Sequence, residues 1–264
     1  MKDKETQAVE EKGLLKILGG LVAKPRATME CLSRARRRWW WVPATLMLVA
    51  LIFNGVTYSG ANAERMYRDQ LEWFESMPPE QRGPMAEPPS KVTPPPLTVI
   101  MGVAGKVVAT IAVWLVWSGA LALASTFFGQ NGARFGAFFA MTIWAWIPYV
   151  VRNFVQGLYM LLTKQAVYNQ GLSGLVLDRA PPSMVSSFRP YIPPARGQEV
   201  LAALLTRVDI YLIWNLLLLI LGVWAFARLP RKRAVLVTIG IWVIVALLGV
   251  LPALVGLNRG FRLF

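Results

Sequence analysis

Four charged side chains, Lys106, Arg152, Arg207 and Asp209, stand inside or beside long apolar runs of a 264-residue chain. A charge at the centre of a bilayer costs roughly 2.5–3.5 kcal/mol on insertion scales, so such residues pair, bind something or line water. At helical spacing they extend into polar stripes. Lys106, Thr110, Trp114 and Ser118 form one; Thr142, Trp146, Tyr149, Asn153 and Gln156 form a second; Arg207, Tyr211 and Asn215 form a third. Lipid cannot satisfy a polar stripe, so each must face another helix or water. Asp209 lies two residues from Arg207, about 200° around a helix, and the two do not face each other. The expected partner of Asp209 is therefore Lys106 or Arg152 from a neighbouring span. Two chemistries stay open. The groups can be ion pairs and hydrogen bonds that fix a bundle. Alternatively they line an outward-facing polar cavity of net positive charge that holds a lipid phosphate, another anion or a partner's acidic residue.

Other chemistries are excluded by composition. The chain has no histidine and one cysteine, Cys31. That removes Ser-His-Asp triads, HExxH zinc sites, intrachain disulfides and thiolate zinc sites. The apolar segments hold no paired acids and no activated nucleophile, so neither catalysis nor a metal or cofactor is expected. Cys31 reads as a free thiol.

The stretch "RARRRWWWVP" decides the broad class. Arg34, Arg36, Arg37 and Arg38 run into Trp39, Trp40 and Trp41. Arginines beside aromatics can serve nucleic acid, with phosphates on the charges and bases stacked on the rings. They can equally be the entry of a helix into a membrane, with Trp at the interface. The net charge is +14, but only 16% of residues are charged and 55% are hydrophobic, against about 25% charged in a soluble domain. The charges cluster between apolar runs. No nucleic-acid partner is expected, and the fold class is an all-α integral membrane protein.

The elements that must position the charges follow from the apolar runs. Residues 1–38 form a cytoplasmic N-terminal segment whose glycines weaken any helix over "GLLKILGGLVA". An amphipathic helix over 25–38 follows, with Pro25 in its first turn and Met29, Leu32 and Ala35 on one face, lying on anionic headgroups. Five spans are expected at 39–60, 97–128, 134–162, 201–229 and 234–256, each near or above the roughly 20 residues a bilayer requires. An external Pro-rich loop fills 61–96, with a helical extension over 61–76 signalled by Tyr67, Leu71 and Phe74. A second external loop fills 163–200. Pro148, inside the third span, removes the backbone bond to the Trp144 carbonyl and predicts a kink.

Basic residues cluster before span one, at Arg134, and at Arg228, Arg231, Lys232 and Arg233 between spans four and five. With five spans these fall on one side. The positive-inside rule then gives a cytoplasmic N-terminus and an external C-terminus. Trp39 to Trp41 become the interface belt of span one. Ala61-Asn62-Ala63 is similar to a signal-peptidase site, but the long preceding segment and long apolar run suit a retained anchor.

The order of several motifs resembles the Yip domain, a five-span family named for Ypt/Rab-GTPase-interacting proteins. "KPRATMECLSRARRRWWWVP" resembles its start, "MPPEQR" a stretch of bacterial members, and "AWIPYVVRNF" its third span. "VDIYLIWNLLLLILGVWAFARLPRKRAVLVTIGIW" resembles its most recognisable part, with Asp209, Ile213, Trp214, Gly222, Ala234 and Trp242 in place. The resemblance covers about residues 24–254. It implies a non-enzymatic multi-pass protein of the bacterial inner membrane that works through membrane-protein partners, as a scaffold or accessory subunit. The partner is a transporter subunit such as an ABC-type exporter, trafficking machinery, or a second copy of the chain. Rab binding is not carried over. A small transporter, or a lipid- or anion-binding protein built on the polar layer, is the other reading.

Overall fold

The computed structural model describes residues 13–35, 39–78, 87–128, 135–176 and 196–251. In chain order these form α1 (Leu14–Ala23), α2 (Pro25–Arg34), α3 (Trp41–Ser76), α4 (Pro96–Phe128), α5 (Phe135–Ala145), α6 (Ile147–Thr163), a 3₁₀ turn (Ser173–Leu175), α7 (Arg196–Leu205), α8 (Ile210–Ala227) and α9 (Arg231–Leu248). No strand occurs among the described residues. By length and apolarity α3, α4, the run Phe135–Thr163 and α8 can each cross a bilayer.

Among the described residues four runs meet that measure, against the five spans expected. α9 opens with Arg231, Lys232 and Arg233, and its apolar part from Ala234 to Leu248 is shorter than about 20 residues. Residues 252–256 of the expected fifth span lie outside the described residues. Residues 201–229, expected as one span, are two helices separated by Thr206–Asp209. "TRVD" combines two β-branched residues with an aspartate, types that favour helix interiors least or helix starts most.

The chain divides into two compact units. The first comprises residues 1–48, 107–151 and 210–249. Its centre is α8, which packs against α2, α5 and α9 and buries Leu212, Leu218, Leu219 and Val223. α5 is buried from Ala137 to Ala145 apart from Phe139. A close approach explains Gly222: a methyl there would sit 2.5 Å from Met141 Sδ. The α2 face expected to lie on headgroups is instead covered by protein. Met29 and Leu32 are 0% and 2% exposed, and α2 packs on α1, α8 and α5. α1 forms despite its glycines because Ile17 and Leu21 are buried, and tertiary packing outweighs a weak propensity. Arg36, Arg37 and Arg38 lie outside the described residues.

The second unit comprises residues 49–106, 152–209 and 250–264. α3 runs unbroken through the expected extension to Ser76, and Phe74 is buried. Phe53 meets Phe154 at 5.8 Å between ring centroids, and Asn54 Nδ2 donates to the Asn153 carbonyl at 3.4 Å.

Candidate functional site

All four charged residues of the apolar runs belong to the second unit. Arg152 Nη1 lies 3.2 Å from Asp209 Oδ2, with the two side chains 13% and 14% exposed. Arg152 Nη2 also donates to Gln170 Oε1 at 3.0 Å. Arg152, one of the two partners expected for Asp209, is in place. The pair closes the gap between α7 and α8 at its α8 end. The Leu172 N–H closes it from the loop, donating to the Leu205 and Val208 carbonyls at 3.0 and 3.1 Å. Thr206 Oγ1 donates back to the Ala202 carbonyl at 2.7 Å. Interrupted backbone near a bilayer is tolerated where protein satisfies it, and this loop does so.

Gly171 makes that loop possible. Its φ is +57°, and a Cβ there would lie 2.6–2.8 Å from the Leu205, Val208 and Thr206 carbonyl oxygens. The left-handed conformation and the close approach both demand glycine. Gln170 and Leu172 were not singled out from sequence. The one available signal was the turn-forming "NQGLSG".

The remaining stripe residues go elsewhere. Lys106 Nζ lies 5.2 Å from the Tyr58 ring centroid, a cation–π contact. Asn153 contributes its carbonyl to Asn54. Arg207 is exposed, and Gln156 and Tyr211 are half-buried.

Asn215 belongs to the first unit and is 2% exposed. Its Nδ2 donates to the Ala145 carbonyl at 2.8 Å. Pro148 explains why that carbonyl accepts it. The helix breaks at Trp146, and the Tyr149 N–H turns to the Trp146 carbonyl at 2.9 Å, leaving Ala145 to a side chain from α8. The predicted kink is thus a helix break with its own partner.

Two basic residues of the first unit flank Trp224. Arg26 and Arg231 lie 4.5 and 5.9 Å from its ring centroid, and Arg26 Nε pairs with Glu30 Oε1 at 3.1 Å. α2, α8 and α9 are therefore tied at one indole by cation–π contacts. Arg34, Arg228, Arg231, Lys232 and Arg233 are exposed. Three cations at the N-terminus of α9 oppose the helix dipole. The Trp39 and Trp41 rings lie 6.1 Å apart, tilted by 40°, Trp40 meets Phe139 edge-on at 5.8 Å, and Trp40 and Trp41 are about half exposed.

No curated protein and no solved structure matches the chain. The model of one family does, the Yip1 domain, over residues 19–251. With most of its length matched, this chain is a multi-pass membrane protein of the Yip1 domain family.

Proposed function

We propose that the protein is a non-enzymatic accessory or scaffold subunit of a membrane complex, with an ABC-type exporter or membrane-trafficking machinery as its partner. Its setting is the bacterial inner membrane, with the N-terminus cytoplasmic and the C-terminus external. The observation that supports a structural rather than a transport role is the use made of Arg152 and Asp209. They pair with each other beside a helix break, so these two charges are engaged within the protein rather than offered to a ligand. Exposed Arg231, Lys232 and Arg233 offer a surface for anionic headgroups or for a partner's acidic residues.

A mild-detergent pull-down from the native membrane tests the role. Transporter or export subunits at stoichiometry are expected. Recovery of a lone chain carrying an anion that Arg152→Gln abolishes overturns it. Orientation has a built-in probe, because Cys31 is the single cysteine. An impermeant maleimide is expected to label it only after the membrane is opened, and labelling of intact cells reverses the orientation.

A further inference from the structure

Beyond Gly60 the first apolar run gives way to "ANAERMYRDQLEWFES", and α3 carries this segment out as helix. At 3.6 residues per turn Arg65, Arg68, Asp69 and Glu72 share about 100° of its circumference. With Gln165 and Tyr168, from the segment after α6, they line an open groove of about 390 Å³.

The groove has a built wall. Tyr168 Oη donates to Asn62 Oδ1 at 2.9 Å, and its ring meets Tyr58 edge-on at 6.1 Å. The Arg65 guanidinium lies 4.8 Å from the Tyr168 centroid, and its Nε is 3.6 Å from Asp69 Oδ2. Arg68 Nη2 donates to the Lys164 carbonyl at 3.3 Å. Such contacts hold the charged heads in place before any ligand arrives, which lowers the ordering cost of binding.

The charges are ordered along the helix axis. Arg65 and Arg68 come first, and Asp69 and Glu72 follow each by four residues, about 6 Å further from the apolar run. Tyr58, two residues before Gly60, stands near where that run meets water, since tyrosine is enriched at membrane interfaces. Arg65 lies about 7.5 Å along the helix past Gly60, close to the depth of a headgroup layer of about 5–7 Å on each side.

We propose that this groove holds the headgroup of a phosphatidylethanolamine-type lipid, its phosphate on Arg65 and Arg68 and its ammonium on Asp69 and Glu72. Such a headgroup has the same order, with the phosphate next to the acyl chains and the amine further out. Guanidinium forks match phosphate oxygens. Phosphatidylglycerol puts a neutral glycerol where the ammonium would sit and leaves both carboxylates uncompensated, which sets the groove against it. The carboxylates accept hydrogen bonds from a primary ammonium, which a trimethylated choline cannot donate.

The test uses the full chain in mixed micelles with equal amounts of phosphatidylethanolamine, phosphatidylcholine and phosphatidylglycerol, with retained lipid read by native mass spectrometry. Preferential retention of phosphatidylethanolamine is expected. Arg68→Gln lowers retention of all three lipids about tenfold, the loss of one charge-assisted contact. Glu72→Gln keeps phospholipid but loses the preference over phosphatidylglycerol. Both side chains are exposed, and unchanged helix content and melting separate a lost contact from a lost fold. A second arm needs no variant: soluble phosphoethanolamine displaces the lipid and inorganic phosphate does not. Equal retention of the three lipids, or equal displacement by inorganic phosphate, overturns the proposal. Binding of phosphoethanolamine with no lipid retained overturns the lipid assignment and leaves the groove to a soluble phosphoamine.

Discussion

Two helix interruptions, one in each unit, are repaired by different means. At Trp146, in the first unit, a proline forces the break, and one buried side chain, Asn215, takes up the Ala145 carbonyl. At Thr206–Asp209, in the second, no proline is present. A backbone amide, that of Leu172, takes two carbonyls, and an ion pair holds the next helix start. The first repair depends on the identity of one residue. The second depends on a charge pair and on a glycine conformation, and its hydrogen-bond donor is present with any residue but proline at position 172.

The comparison can be broken most sharply at the ion pair. Asp209→Ala leaves the Arg152 guanidinium without its carboxylate in a mostly buried setting, which costs about 3–5 kcal/mol. Thermal melting in detergent is expected to fall accordingly, and Arg152→Gln with Asp209→Asn together to fall by much less than the two single changes summed. Wild-type melting of Asp209→Ala removes the pair from the account of the second break. Asn215→Ala strips a buried carbonyl of its donor and is expected to cost about 1–3 kcal/mol. Leu172→Ala keeps the amide and is expected to leave the second break closed. Equal losses from Asn215→Ala and Leu172→Ala erase the distinction between side-chain and backbone repair.

Smaller effects sharpen the contrast between the units. Trp224→Leu removes two cation–π contacts at about 0.5–1 kcal/mol each, and α2 is expected to loosen, read as faster maleimide labelling of Cys31 on opened membranes. An unchanged rate places the hold on α2 entirely in Met29 and Leu32. The smallest effect concerns Glu64, whose carboxylate pairs with Lys91 of the Pro-rich segment. That hydrogen bond, with the charges of Lys91, Arg68 and Lys164, holds its pKa below the ordinary carboxylate value. A depressed acid contributes stability that is present above its unfolded value and lost as pH falls through its folded one. Spin labels at Gly60 and Thr93, in a Cys31→Ser background, are expected to show one distance at neutral pH. The distribution is expected to broaden as pH drops below about 4.3. A distribution that stays narrow there assigns the tether to other contacts.

How much of this was legible beforehand depends on whether the cause is local. Pro148 announced its break because a missing N–H and a ring clash act within one turn. Met29 and Leu32 announced a one-sided α2, but helical period alone does not say whether lipid or α8 covers that side. The break at Thr206–Asp209 was hidden, since its flanks are apolar enough to read as one span, and what completes it lies more than 30 residues away in a loop. Tyr168 and Arg65 stayed out of sight for the same reason: neither sits in an apolar run, and their contact joins segments about a hundred residues apart.

Sequence by itself determined that the chain belongs in a membrane, that its long apolar runs are helical, and that histidine and disulfide chemistry are closed to it. Those are matters of transfer energy, length and residue type, each additive along the chain. Tertiary structure decided which carboxylate meets which guanidinium, what covers α2, and where charges converge into a groove. A pair in a low-dielectric setting depends on distance and on shared donors, and these exist only once separate segments have been brought together.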